Sequence, residues 1–363
     1  MAQKVRAKSS LHWSLRDSTR RVIESLAPAI QITIGALLAY SLAHYGLGHA
    51  TPILAITVCI TSLGFSRDAR PRRILQSAVG MVVGITISDL ALFAFGSGVL
   101  QIGLVLLVVL LAARFISGSS AFALTAGIQS MLVQLLPAPP GGVFVRTIDG
   151  LIGGLLAIAV TALIPRDPRG LARTDANKLF DFFIESLDSL RLALRDVNIE
   201  VADDALRKVR RSQPLIDNWR MSLDSAVAIS RISPFLNKYR DELKGQVRLM
   251  RGMDLATRNL RVVIRRVDFL LKDGIARAYL ADLCDQLHSA VSLMREGLND
   301  PEALENSQQE LIEIIRQLDP KRFGIADQIR EASVLLLLRP LVVDLLCASG
   351  MPEEDARAEL PEV

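Results

Sequence analysis

Four ionisable residues interrupt otherwise apolar stretches of this sequence: His44, Asp89, Arg146 and Asp149. A charged group on a lipid-embedded helix is costly, so each is a functional candidate. Arg146 and Asp149 are three residues apart and share a helical face, close enough to pair with each other. Asp89 is an alternative partner for Arg146. Two chemistries fit. One is a structural ion pair that locks the stretch around Asp89 to the stretch around Arg146. The other is a gate or anion site in which Arg146 contacts a carboxylate, while Asp89 couples protons or competes for the guanidinium. Gln31, Thr125, Gln129 and Gln134 add uncharged polar groups, and Thr125 and Gln129 share a face. Such residues serve as hydrogen-bonding glue between helices. Gln129 joins Arg146, Asp149, Asp89 and His44 as a candidate for a substrate pathway.

Small residues form a second pattern. In "RPRRILQSAVGMVVG" and the residues after it, Arg73, Ser77, Gly80, Gly84 and Ser88 fall on one helical face. In "VRTIDGLIGG", Arg146, Asp149, Gly150 and Gly153 do the same, with Gly154 beside them. Faces of this kind let two helix backbones approach closely, or line a groove between packed helices. Arg73 and Arg146 are each followed seven residues later by a glycine. If the two helices start on opposite sides of a membrane, that spacing predicts an inverted repeat of two three-helix units.

Most enzyme chemistry has no foothold. The sequence contains no G-x-x-x-x-G-K-[ST], no H-E-x-x-H and no G-x-S-x-G. "GSGVLQIG" lacks the spacing of a dinucleotide fingerprint. The four histidines are scattered, and Cys59, Cys284 and Cys347 lie far apart, as reduced packing residues do. No catalytic residue, metal site or cofactor is expected.

The elements that carry these residues follow from the apolar patterning. The chain has 363 residues, half of them hydrophobic. The first 165 residues hold only 12 of the 42 basic and 5 of the 38 acidic residues. A membrane-spanning helix takes about 20 mostly apolar residues. Six stretches qualify: 26–45, 52–65, 74–95, 99–113, 115–136 and 144–164. The second and fourth are short, as tilted or broken spans are. "GLGHATP", "SRDARPRR", "GSG", "ARF" and "PAPPGG" mark the turns. Placing the N-terminus inside puts every loop arginine and lysine of this region inside except Arg146, so both termini are expected in the cytoplasm. The "TRRVIE" segment looks like a twin-arginine export signal. Five further spans and no small-residue cleavage site argue for a basic segment, residues 1–25, feeding the first span, with Leu11, Trp13 and Leu15 at the interface.

From residue 166 to 350 the spacing is helical throughout, with stretches near 202–230, 238–272, 275–298, 302–317 and 325–348, bounded or kinked by Pro214, Pro234, Pro301 and Pro320. "EASVLLLLRPLVVDLLCASG" resembles a seventh span, but Arg339, Pro340 and Asp344 in its middle make it a buried bundle helix. Residues 351–363 read as an acidic tail. "RKVRR" and "RNLRVVIRR" form a solvated face, or one turned to anionic lipid. They lack the interleaved aromatics of a nucleic-acid surface. The expected fold class is all-α: a six-span transmembrane domain over 26–165, then a cytoplasmic helical bundle.

Three segments, "PRRILQSAVGMVVG", "VRTIDGLIGGLLAIAVTALIP" and "LRPLVVDLLCASG", together with this layout, resemble the fusaric acid resistance-like family of aromatic acid exporter-type membrane proteins. That family is distantly similar to plant aluminium-activated malate transporters. The resemblance covers most of the chain and implies efflux or conduction of small organic anions at the inner membrane. A single six-span unit is similar to half of the longer members, which implies a homodimer. The competing expectation is a membrane-anchored regulatory or scaffold protein whose helical domain binds a partner. An anchor of that kind needs neither Arg146 nor Asp89.

Overall fold

A computed structural model describes residues 15–362 apart from 66, 67, 69, 138, 143, 165 and 166. Leu11 and Trp13 lie outside the described residues. Every regular element among those described is helical. The chain divides between residues 166 and 167 into two compact units, with residues 232–234 grouped with the first.

The first unit holds α1 (Leu15–Ser41), a π-helical turn (Leu42–Gly46), α2 (Ile53–Leu63), α3 (Pro71–Phe95), α4 (Val99–Ile116), α5 (Ser120–Leu135) and α6 (Val145–Leu163). The basic segment before residue 26 is not separate from the first apolar stretch: α1 begins at Leu15 and carries Pro28 in its interior. The fourth apolar stretch runs longer than its sequence spacing indicates and the fifth is shorter. Arg114 does not break the helix. Its guanidinium donates to the Gly118 carbonyl (2.7 Å), and α4 continues to Ile116. The break falls at Ser117–Ser119, where the Ser119 side chain accepts from the Phe122 backbone N–H and starts α5.

Among the described residues of this unit, four helices are long and apolar enough to cross a membrane: Ser25–Gly46, Pro71–Phe95, Val99–Ile116 and Val145–Leu163. The other two are equally apolar but shorter, 11 residues in α2 and 16 in α5. At 1.5 Å per residue, α2 is about 17 Å long, against a hydrocarbon core of about 30 Å. Large apolar side chains lie exposed on the outer faces, among them Leu37, Leu104, Leu111, Leu124 and Leu155.

Packing sorts the six helices into two groups of three. Ile32, Ala39, Ala55, Cys59, Ile152 and Ala157 form one core, joining α1, α2 and α6 with Ile74 of α3. Val105, Val109, Ala113, Phe122, Ala123 and Ala126 form another, joining α4 and α5 with Ile87 and Ala91 of α3. Leu54, Val58, Ala78, Met81, Ile85 and Val133 tie the groups together. The pattern has an internal symmetry. α2 packs on α6 as α5 packs on α3; α1 packs on α2 as α4 on α5; α1 packs on α6 as α4 on α3. Exchanging α1–α3 for α4–α6 maps these contacts onto one another, leaving the α2–α3 contact aside.

Glycine sets both close approaches. A Cβ on Gly84 would lie 2.3 Å from the Ala126 carbonyl oxygen, and one on Gly153 would lie 2.3 Å from that of Ala55. The equivalent glycines are therefore Gly84 and Gly153. Aligning Arg73 with Arg146 pairs Gly80 with Gly153 and is one helical turn out. The crossing point is fixed by backbone contact, and Arg73 does a different job, donating to the Asp68 carbonyl in its own loop (2.7 Å).

The second unit runs from α7 (Pro168–Asp196) through α8 (Ile199–Val209), α9 (Gln213–Ser230), α10 (Arg240–Leu270), α11 (Ala278–Glu296), α12 (Pro301–Gln317) and α13 (Ile329–Ser349) to α14 (Glu353–Ala358). A single core fills it, with Phe180, Phe183, Trp219 and Leu223 among its fully buried side chains. The apolar stretch 202–230 divides into α8 and α9, with Pro214 in the first turn of α9. By length and composition α13 would also suit a membrane. Its Leu335, Leu338, Leu341, Val342, Leu345 and Leu346 are instead buried in the bundle core. The last residues belong to this bundle and do not form a tail: Ala356 of α14 is fully buried, and Arg316 pairs with Glu359 at 2.8 Å.

Candidate functional site

The N-terminal turns of α6 bring Arg146, Thr147 and Asp149 into the first unit. Arg146 and Asp149 are both buried, as is Asp89 on α3. Arg146 and Asp149 do not pair. Arg146 Nη1 reaches Asp89 Oδ1 at 3.4 Å, and the Thr147 hydroxyl donates to Asp89 Oδ2 at 3.5 Å. The remaining Nη bonds of Arg146 go to backbone. Nη1 donates to the Val133 carbonyl at 3.0 Å, and Nη2 to the carbonyls of Leu136 and Pro137 at 2.8 and 2.6 Å. The last carbonyls of a helix lack intrahelical donors, and cations are favoured at that end. Arg146 thus caps the C-terminal end of α5, where Pro137 prevents the helix from continuing.

Asp149 has a different partner. His49 Nδ1 donates to its Oδ1 at 2.6 Å. His49 sits in the turn after the π-helical segment, held there by two backbone bonds, Gly48 N–H to the His44 carbonyl and His49 N–H to the Ala43 carbonyl, each 3.1 Å. Gly48 lies at φ 74°, where glycine is at no disadvantage. His44 does not enter the cluster directly. Its Nδ1 donates to the His49 carbonyl (2.8 Å), and its ring stacks on Tyr40 and meets Tyr45 edge-on. His44 therefore shapes the turn that presents His49.

His49, Arg146 and Asp149 border a cavity of about 440 Å³. Its wall is mixed: His49, Thr51, Arg146 and Asp149 supply polar atoms, while Leu54, Leu136, Val145 and Pro137, Pro139 and Pro140 supply apolar surface. Pockets that take small molecules share this mix of a few polar groups in a largely apolar wall.

Gln129 lies apart from the cluster. It accepts from the Thr57 hydroxyl at 3.3 Å and its amide approaches Met81 Sδ at 3.6 Å, bridging α2, α3 and α5. Gln134 donates to the Ser88 carbonyl at 3.2 Å, Ser88 donates to that of Ser130 at 3.2 Å, and Gln31 donates to that of Ile164 at 2.7 Å. Thr125 bonds only to carbonyls of its own helix.

All five glycines serve contacts within the chain. Gly80 faces the Phe122 ring, and Gly84 faces the Ala126 backbone. Gly150 faces Ile85, Gly153 the Ala55 backbone and Gly154 the Ala78 methyl. With these faces occupied, they carry no argument for a contact between two copies.

Of the sequence candidates, Arg146, Asp149 and Asp89 come together, His44 supports them from behind, and Gln129 stands elsewhere. His49 was not among them. A lone histidine in the turn "GLGHATP" gives no signal of a partner 100 residues away. Among the described residues no three His, Cys, Asp or Glu side chains are grouped so as to hold a metal ion.

Residues 32–160 match the family model described as fusaric acid resistance protein-like. The whole chain is similar to an uncharacterized protein of Corynebacterium glutamicum: 29% identity over 361 residues, covering 97% of this chain and 92% of that protein. Proteins of Mycobacterium tuberculosis and Mycobacterium bovis, provisionally named arylamide transporter, are 29% identical over 159 residues. That match takes in 42% of this chain and 45% of theirs.

Proposed function

We propose, from the premise that this chain belongs to the fusaric acid resistance-like family through residues 32–160, that it exports small organic carboxylates, aromatic ones among them, across the inner membrane. One observation carries the reading. An otherwise apolar helix set buries Asp89, Arg146 and Asp149, with half-buried His49 paired to Asp149, beside a cavity large enough for a single aromatic ring and its substituents. A helix set that only anchors a domain has no use for buried charges, which are costly in a bilayer. The mycobacterial relatives' name adds aryl compounds as a substrate class to test.

In this reading α1 to α6 form six spans, with the two short helices completed by their flanking turns. The N-terminus and the second unit face the cytoplasm, as the excess of arginine in the inside loops favours. Two copies assemble, and no enzymatic step is involved. Asp89, Arg146 and Asp149 sit toward the outer face. Because the Nη donors of Arg146 are already engaged, a bound carboxylate meets His49 before it meets the guanidinium.

The test is flux in proteoliposomes. Labelled benzoate, salicylate, malate and acetanilide would be presented to purified protein and to protein-free vesicles. Protein-dependent movement of an aromatic acid supports the reading. No movement of any of them, from protein shown to be folded and inserted, would sink it.

A further inference from the structure

We infer that His49 and Asp149 are the proton site of this cavity, and that an organic acid occupies it only together with a proton taken up by that pair. The inference rests on the transport reading and adds the chemistry of its substrate.

Three ionisable side chains line the cavity, Arg146 and Asp149 from α6 and His49 from the turn before α2, and Arg146 pairs in turn with Asp89 of α3. His44, the next titratable group, bonds to the His49 carbonyl, with Tyr40 and Tyr45 around its ring. α2 adds only Cys59, and neither α5 nor the turn from 136 to 144 carries an ionisable side chain. One guanidinium thus faces two carboxyl groups; with both of them ionised and the imidazole neutral, the four groups sum to one net negative charge. Like charges in a poorly solvated space repel strongly, so an organic anion is disfavoured there. Arg146 cannot offset this, since Asp89 and three carbonyls already occupy its Nη donors.

Geometry shows where the balance changes. His49 donates from Nδ1 to Asp149 at 2.6 Å, which leaves the lone pair on Nε2. A proton from solvent bonds to Nε2, no other bond breaks, and the ring becomes an imidazolium held by the Asp149 carboxylate. The cluster is then neutral, and an N–H is available to an incoming acid. The His49 side chain keeps 14% of its exposure and Asp149 keeps 4%, so the imidazole is the partner open to both proton and ligand. Imidazole is the side chain that ordinarily titrates in the cellular pH range.

The experiment is calorimetric binding to the full-length protein in detergent, from pH 5.5 to 8, in buffers of differing ionisation enthalpy. Three probes are used: benzoate, benzenesulfonate (ionised throughout this range) and benzamide (uncharged). The expected result is uptake of close to one proton per benzenesulfonate, with affinity falling up to about tenfold per pH unit at the alkaline end. Benzamide should bind without that slope. Asp149→Asn should let benzenesulfonate bind at pH 8 about as well as the parent protein binds it at pH 6. His49→Gln should abolish the slope. Benzenesulfonate binding without proton uptake overturns the proton site, as does an unchanged slope in His49→Gln. Benzoate binding with no benzenesulfonate binding also overturns it, because the proton then travels on the acid. The proton measurement on the parent protein stands even if a variant fails to fold. If no probe binds and none of the flux panel moves, the transport reading falls too. Flux with no linked proton removes this inference alone.

Discussion

Arg146 meets Asp89 at 3.4 Å while donating to the carbonyls of Val133, Leu136 and Pro137, so one side chain on α6 holds both α3 and the end of α5. Removing it strands a buried carboxylate and three carbonyls together. Taking away one partner of a buried pair costs about 3–5 kcal/mol. Arg146→Gln should lower thermal stability by an amount of that order. Asp89→Asn in the same chain should restore only part of it, because the carbonyls stay unpaired. Thermal melts of the parent, both single variants and the double variant decide this. Full recovery in the double variant would leave the ion pair as the whole of the role.

The glycine contacts give a graded prediction. Gly84→Ala and Gly153→Ala each place a Cβ 2.3 Å from a carbonyl oxygen, where neither side has a flexible atom to give. Overpacking of this kind costs about 1–3 kcal/mol. Nothing lies within 4 Å of a Cβ added to Gly103, so Gly103→Ala should be neutral or gain up to about 1 kcal/mol from helix propensity. The three melting temperatures should rank in that order.

Much of the first unit was legible in the sequence, because apolar runs and Gly/Pro turns report helices directly. The break between α4 and α5 was misplaced at Arg114, since a charged residue looks like a loop until its guanidinium is seen folding back on Gly118. The π-helical turn at 42–46 has no compositional mark. The small-residue faces were visible as periodicity, but their partners were not, because a backbone carbonyl leaves no trace in residue types. The same holds for Arg146, three of whose four acceptors are main chain. The Asp89–Arg146 pair was among the readable possibilities. The His49–Asp149 pair was not, because the sequence offered Asp149 a nearer cation three residues away.

The second unit has an acid-sensitive junction. Arg277 is buried and donates to both Asp273 oxygens at 2.6 and 2.5 Å, with Glu331 a further partner at 3.3 Å. The guanidinium holds the Asp273 carboxyl at about 2, below its usual 3.8. A carboxyl depressed in the folded state stabilises at pH values above its ordinary range and ceases to do so as pH falls through the lowered value. Asp273→Asn should therefore melt below the parent at neutral pH, and the gap should close between pH 4 and pH 2. A gap that stays constant over that range would assign the loss to packing.

The bundle should also stand alone. The second unit, residues 167–231 and 235–362, has one core that includes α13, so the segment 167–362 expressed by itself is expected in the supernatant after ultracentrifugation, with a helical circular dichroism spectrum. Recovery only with membranes would show that α13 prefers lipid to its bundle partners.

The two three-helix groups of the first unit have a mechanical consequence. The packing groups are not the first and second halves of the chain: one is α1, α2 and α6, joined by Ile74 of α3, and the other is α3, α4 and α5. Each is riveted internally where backbone meets backbone, Gly153 on Ala55 in one and Gly84 on Ala126 in the other. Between them glycine also brings the helices close: a Cβ on Gly154 would lie 2.8 Å from the Ala78 methyl and one on Gly150 2.9 Å from Ile85. Arg146 acts as a latch across the seam, mounted on one group and gripping only oxygens of the other group and the turn that follows it.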